Sequence, residues 1–257
     1  MIFLYRLFQF LKYQRNASTK YYLHSPFVYQ FYLNVLEGEV EKKIAQINLL
    51  RTKLKNDVRE IEVEDFGTAK SANRKITELE KNVAVKEKCG LLLFRVVKYF
   101  QPKNILELGT NIGISSSYMA LANPSAKIIS LEGSKNLIEE AIKNHASLNI
   151  SNAEFIQGNF EDTLPPALQK FSSVDLVLFD GNHTKAATMK YFEKCLLYAN
   201  ENSVFIFDDI YYNNEMTEAW ESIKQHPQIT LTLDVYQLGI CFFRKEKLAK
   251  ENFVLRY

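Results

Sequence analysis

Ile105-Leu-Glu107-Leu-Gly109-Thr-Asn-Ile-Gly113-Ile-Ser115 packs a strand, a tight turn and a helix start into eleven residues. The apolar run carries an acid near its end, turns through two glycines and leads into a new apolar segment. Glycine permits the turn and lets a ligand approach the backbone, while a helix start offers unpaired N–H groups. Dinucleotide folds use a similar turn but space their glycines G-x-G-x-x-G. Here the spacing is G-x-x-x-G, with Glu107 two residues ahead of it. A carboxylate there would repel a pyrophosphate and suits a cationic or amino-bearing ligand. A second acid, Glu132, closes the next apolar run in Ser130-Leu-Glu-Gly133-Ser134. An acid at that strand end can accept hydrogen bonds from both hydroxyls of a ribose. Together the two features point to a nucleoside.

Outward from this stretch the chain alternates. Strands are expected at Asn104–Leu108, Lys127–Glu132, Ala153–Gln157, Val174–Phe179 and Ser203–Phe207. Helices are expected near 113–122, 137–145, 163–170, 185–198 and 215–226. Apolar, β-branched strands alternating with helices imply an α/β fold with a parallel sheet covered on both faces. Residues 229–236 and 238–244 read instead as an antiparallel hairpin. Before Gln101-Pro102 the pattern is helical and rich in Lys and Glu, so residues 1–100 read as a helical extension or lid and 101–257 as the ligand-binding domain.

Composition narrows the class. The chain is 47% hydrophobic and 24% charged, enough apolar content for a proper core. Cys89, Cys195 and Cys241 are odd in number and lack metal spacing, which suits buried thiols in a reducing, cytoplasmic setting. Residues 1–100 hold 18 Lys and Arg against 11 Asp and Glu, but no stripe of interleaved basic and aromatic residues suggests nucleic acid. The apolar start, Met1 to Lys12, is interrupted by Arg6 and is too short to span a bilayer. It reads as an amphipathic helix packed on the protein or on a second copy in a homodimer, ahead of a peripheral membrane anchor. His24 reads as a turn residue.

Two further acid clusters end apolar runs: Asp175-Leu-Val-Leu-Phe-Asp180-Gly-Asn-His183 and Val204-Phe-Ile-Phe-Asp208-Asp209. If their strands are neighbours, the ends lie roughly 5 Å apart. Asp180, Asp208 and Asp209 could then hold a hard cation such as Mg²⁺ or Ca²⁺, or simply line a pocket and cap loops. Histidine takes a proton near neutral pH, so His183 is the candidate general base; alternatively Asn182 and His183 cap the helix that follows. Tyr211 and Tyr212 are candidates for an apolar substrate wall, and Trp220 for packing.

On these motifs residues 101–244 resemble the class I S-adenosylmethionine-dependent methyltransferases, among them the small O-methyltransferases related to catechol O-methyltransferase. The whole chain is also similar to a group of bacterial methyltransferases, through Leu23-His-Ser-Pro-Phe-Val28, Asp65-Phe-Gly67 and Phe253-Val-Leu-Arg-Tyr257. The resemblance implies a Rossmann-like, mostly parallel seven-stranded sheet with its last strand antiparallel. It implies Glu107 and Gly109, with Thr110, Asn111, Gly113 and Ser115, at the methionine end of S-adenosylmethionine. Glu132, in the turn with Gly133 and Ser134, would take the ribose, and Gly158-Asn159 would sit by the adenine, where many relatives carry Asp. Asp180 would line the cofactor pocket and act in catalysis. In catechol-type enzymes two Asp and one Asn hold Mg²⁺; Asp180, Asp208 and Asp209 match, with Asp in place of Asn, and His183 stands where a lysine base does. The reaction implied is methyl transfer to an oxygen of a small-molecule acceptor. A non-catalytic S-adenosylmethionine-binding scaffold and an NAD-dependent oxidoreductase are the alternatives, the latter disfavoured by the glycine spacing.

Overall fold

The computed structural model describes residues 2–65, 70–246 and 249–257. Phe66 and Gly67 of the Asp65-Phe-Gly67 motif fall outside the described residues. The chain forms two compact units, residues 1–36 with 168–257 and residues 37–167. The first begins with α1 (Ile2–Asn16) and α2 (Pro26–Phe31).

The unit of residues 37–167 holds α3 (Ile44–Leu54), a hairpin of β1 (Glu60–Asp65) and β2 (Lys70–Lys75), the short α4 (Ile76–Glu78) and α5 (Glu87–Phe100). The hairpin departs from the all-helical expectation. Ile61 and Val63 alternate with acids and pack on the core formed by Ile44, Ile47, Phe94 and Tyr118. Alternation at period two is what a half-buried strand requires. Helix α5 stops where Gln101 turns left-handed (φ 49°), its N–H closing on Val97 O at 2.9 Å, and Pro102 prevents continuation. Then follow β3 (Asn104–Leu108), α6 (Ile114–Ala122), β4 (Lys127–Glu132), α7 (Lys135–Ser147), β5 (Ala153–Gln157) and α8 (Phe160–Gln169). The three strands are parallel, with Glu107 beside Ser130 and Glu132 beside Gln157.

The other unit continues with β6 (Val174–Phe179), α9 (Lys185–Leu196), β7 (Ala199–Asp208), α10 (Asn214–Gln225), β8 (Leu231–Asp234), β9 (Leu238–Phe242) and β10 (Glu251–Val254). Strands β6 and β7 are parallel, β9 runs antiparallel to both β7 and β8, and β10 returns parallel to β8. The fold is thus Rossmann-like α/β and mostly parallel. Among the described residues it carries eight such strands, three in one unit and five in the other. That is one more than the resemblance implied, and the antiparallel strand is β9 because the closing residues add β10 behind β8. The tail is tied down further: Tyr13 Oη donates to Leu255 O at 2.8 Å, and Arg256 N to Ser18 O at 2.9 Å. Trp220 is fully buried and packs on Phe207 and Gly239, the structural role expected of it. The three cysteines are free and buried. No helix among the described residues is long and apolar enough to cross a membrane.

Candidate functional site

The carboxyl ends of β3, β4 and β5 form a cradle in which Gly109, Asn111, Glu132, Gly158 and Asn159 are part-exposed above buried Glu107, Thr110 and Ser130. Gly109 (φ 104°), Asn111 (φ 49°) and Gly113 (φ 77°) all lie in the left-handed half of backbone space, so the turn after β3 is tight. A side chain at Gly113 would place its Cβ 2.8 Å from Ala141 Cβ, so the glycine is demanded by packing as well as by φ. Ile112 and Ile114 anchor the turn in the core. Asn144 Nδ2 donates to Ile112 O at 2.8 Å. His145 Nε2 lies 2.9 Å from Ser116 Oγ and 3.3 Å from Gly113 O. Burial lowers His145 to about 4, so it serves the loop as a neutral ring.

Glu107 is wholly buried. Its Oε2 accepts a short hydrogen bond from Ser130 Oγ, which in turn is bonded to Thr110 Oγ1, while Oε1 has no partner in strict hydrogen-bond geometry. Burial raises this carboxyl to about 7, with the Ser115 and Ser130 hydroxyls pulling it down and the Glu132 charge adding to the rise. Glu132 is aimed by backbone: Asn111 N donates to Oε2 at 2.9 Å and Ser134 N to Oε1 at 3.0 Å. Gly158 N donates to Glu132 O at 2.9 Å, which brings the turn after β5 to the same edge. Asn159 caps α8 through Oδ1, which accepts from Glu161 N at 2.9 Å. The cap also explains why α8 begins at Phe160, before the expected 163. Ser130, Asn144 and His145 escaped the sequence reading; a serine inside the apolar run Lys127–Glu132 was the available signal for the first.

In the other unit, Phe179 and Phe207 are register partners in neighbouring parallel strands, so Asp180 and Asp208 leave the sheet side by side. They share a hydrogen bond. Asp208 is only partly exposed, and enough protein surrounds it that burial, with the Asp209 charge, raises its carboxyl to about 7. Asn182 (φ 54°) and Asp209 (φ 53°) are left-handed, a conformation non-glycine residues keep only where surroundings enforce it. Among the described residues no three His, Cys, Asp or Glu side chains gather in a group able to hold a metal ion.

His183 Nε2 lies 3.9 Å from Asp180 Oδ1. Burial holds its imidazole below the usual value and the Arg6 charge adds to this, while Asp209 opposes it. Helix α9 is capped by Thr184, whose Oγ1 accepts from Ala187 N at 3.4 Å, so neither Asn182 nor His183 performs that duty. Asn213 Nδ2 fixes the His183 carbonyl at 3.2 Å. The Tyr212 ring lies 5.5 Å from the imidazole, under the Arg6 guanidinium at 4.0 Å. Tyr211 is engaged elsewhere: its hydroxyl bonds Asp234 and its ring stacks on Tyr236. An open depression of about 370 Å³ lies at the amino ends of β4 and β5, lined by Lys127, Asn152 and Glu154, and holds none of these residues.

Residues 101–245 match the family model described as "Methyltransferase domain". The chain is 23% identical over 184 residues to a malonyl-[acyl-carrier protein] O-methyltransferase of Legionella pneumophila, which covers 67% of this chain and 61% of that protein. The chain therefore spans about three fifths of that relative. Among solved structures, it resembles the O-methyltransferase TomG of Streptomyces achromogenes, in complex with SAM, with a TM-score of 0.58 at 17% identity over 84% of this chain and 95% of that one. The SAH-bound methyltransferase PaMTH1 of Podospora anserina gives a TM-score of 0.60 at 16% identity, over 87% and 97%.

Proposed function

The chain belongs to the methyltransferase domain family, and from that premise we propose that it transfers the sulfonium methyl of S-adenosylmethionine to an oxygen of a small-molecule acceptor. One observation carries the reading. Glu107 is a buried acid reached by the Ser115 and Ser130 hydroxyls, beside a second acid held in place by two amides. Such a pair repels a pyrophosphate and attracts a ligand that brings a cation, an ammonium group and hydroxyl donors.

When bound, S-adenosylmethionine supplies an electrophilic methyl on a positively charged sulfur. In this reading Glu107, Gly109, Thr110, Asn111, Gly113 and Ser115 surround its methionine end. Glu132, with Gly133 and Ser134, accepts from the ribose hydroxyls. Gly158 and Asn159 face the adenine. His183, neutral near pH 7, would take the proton of the acceptor's hydroxyl and so free that oxygen for methylation. Asp180, with Oδ1 3.9 Å from His183 Nε2, orients that imidazole. Residues 101–257 form the catalytic region on this view, with residues 1–100 as its extension, and the buried thiols suit a cytoplasmic setting.

A divalent ion held by Asp180, Asp208 and Asp209 is the finer reading of the acid cluster. The carboxylates present do not gather as a three-ligand group, and Asp208 shares a hydrogen bond with Asp180 while keeping a proton near pH 7. Calorimetric titration of Mg²⁺ or Ca²⁺ into the cofactor-loaded protein and into Asp208→Ala tests the point; heat present only in the wild type would restore the metal.

The test of the main reading is calorimetric binding of S-adenosylhomocysteine against NAD. Preference for the former is expected, and it should be weakened in Glu107→Gln. Preference for NAD would overturn the assignment. A non-catalytic scaffold would bind equally well but show no methyl transfer across a panel of hydroxyl acceptors.

A further inference from the structure

Helix α1 is mounted with its hydrogen-bonding groups inward and its hydrocarbon outward. Tyr5 Oη donates to Thr217 Oγ1 at 2.8 Å, Arg6 Nε to Tyr212 O at 2.9 Å and Tyr13 Oη to Leu255 O at 2.8 Å. Gln9 is buried on the same side. Phe3, Leu4, Leu7, Phe8 and Leu11 point the other way, Phe3 being 73% and Phe8 64% exposed. At 100° per residue these five cover an arc of roughly 140°. An ordinary surface helix turns such a stripe toward the core.

Charge identifies what covers it. Residues 1–36 carry Arg6, Lys12, Arg15 and Lys20 and no acid at all. Lys12 and Arg15 are exposed at the carboxyl end of the apolar arc, and the exposed rings of Tyr21 and Tyr22 follow Lys20 beyond the helix. Two copies joined helix to helix through α1 would bring cations together with no carboxylate in residues 1–36 to meet them. A stripe about 12 Å long, from Phe3 to Leu11, and roughly 10 Å wide also falls well short of the ~800 Å² per partner of a stable interface. Hydrocarbon bordered by cations and phenol rings fits the headgroup boundary of an anionic bilayer. We infer that α1 lies flat on membranes containing anionic phospholipid, with Phe3, Leu4, Leu7, Phe8 and Leu11 among the acyl chains and Lys12 and Arg15 at the phosphates. Fifteen residues are too few to cross.

The experiment is co-sedimentation of the full chain with sucrose-loaded vesicles of phosphatidylcholine, with and without phosphatidylglycerol. Binding is expected to the mixed vesicles and to be roughly tenfold weaker to the neutral ones. Phe8→Asp and Lys12→Glu, both at exposed positions, should each weaken it about tenfold while leaving the thermal midpoint unchanged. A wild-type protein that stays in the supernatant, or that sediments equally with neutral vesicles, overturns the inference. So does a dimer in sedimentation velocity that Phe8→Asp dissolves, which would identify a second copy as the cover.

Discussion

Asn111 and Glu132 are joined across two strand ends: the amide of the first donates to Oε2 of the second at 2.9 Å. With Ser134 N on the other oxygen, one carboxylate orients the loop after β3 and the turn after β4 at once. The Glu132 carboxylate is thus held by main chain, which no substitution outside Glu132 itself easily removes.

Glu132→Ala should therefore cost both hydroxyl contacts and the shape of the loop. Charge-assisted hydrogen bonds contribute about 1.5–3 kcal/mol each, so affinity for S-adenosylhomocysteine should fall about 100-fold by calorimetry. A loss below threefold would take Glu132 out of the ribose contact.

Glu107 gives a pH dependence. Its carboxyl is raised from 4.5 to about 7 in the fold. The folded protein therefore holds this proton where the unfolded chain has released it, and stability from this group declines as pH rises from about 4.5 to 7. A cationic ligand prefers the ionised form, so binding should tighten as pH rises through 7. Titrations at pH 6 and 8 check this. The dependence should vanish in Glu107→Gln and shift to higher pH in Ser130→Ala, which removes the hydroxyl that stabilises the charge.

Gly113→Ala should unfold more easily. The new methyl meets Ala141 at 2.8 Å, at a φ of 77° that alanine avoids. Steric overlap and left-handed strain together cost on the order of 2–4 kcal/mol, a drop of several degrees in thermal midpoint. Gly109→Ala, at φ 104°, tests strain without relying on that contact.

His183 and Thr184 are adjacent yet separable. His183→Gln should lower kcat at least 100-fold with little change in fold. Thr184→Ala removes the cap of α9 and should cost about 1 kcal/mol of stability with kcat intact. An unchanged rate in the first variant would remove His183 from proton transfer.

The strands between residues 104 and 179 were legible because apolar, β-branched runs bounded by turns have one reading. The β1–β2 hairpin was not read, although Glu60-Ile-Glu-Val-Glu alternates at period two, since its acids resemble an exposed helix face. The glycine turn and both cradle acids were visible as letters. Asn144, His145 and Ser130 were not, because each acts on the cradle through a carbonyl or carboxylate that only the fold brings near. The seating of α1 was hidden too, as apolar residues occupy much of its circumference and only the partners of Tyr5, Arg6 and Tyr13 show which face is inside.

The stacking of Arg6 on Tyr212 has an electrical consequence. Its positive charge opposes protonation of His183, where Asp209 favours it. Lifting α1 from its seat would withdraw that charge and let the imidazole bind its proton at higher pH. The acid limb of a rate profile thereby becomes a gauge of where the first helix rests.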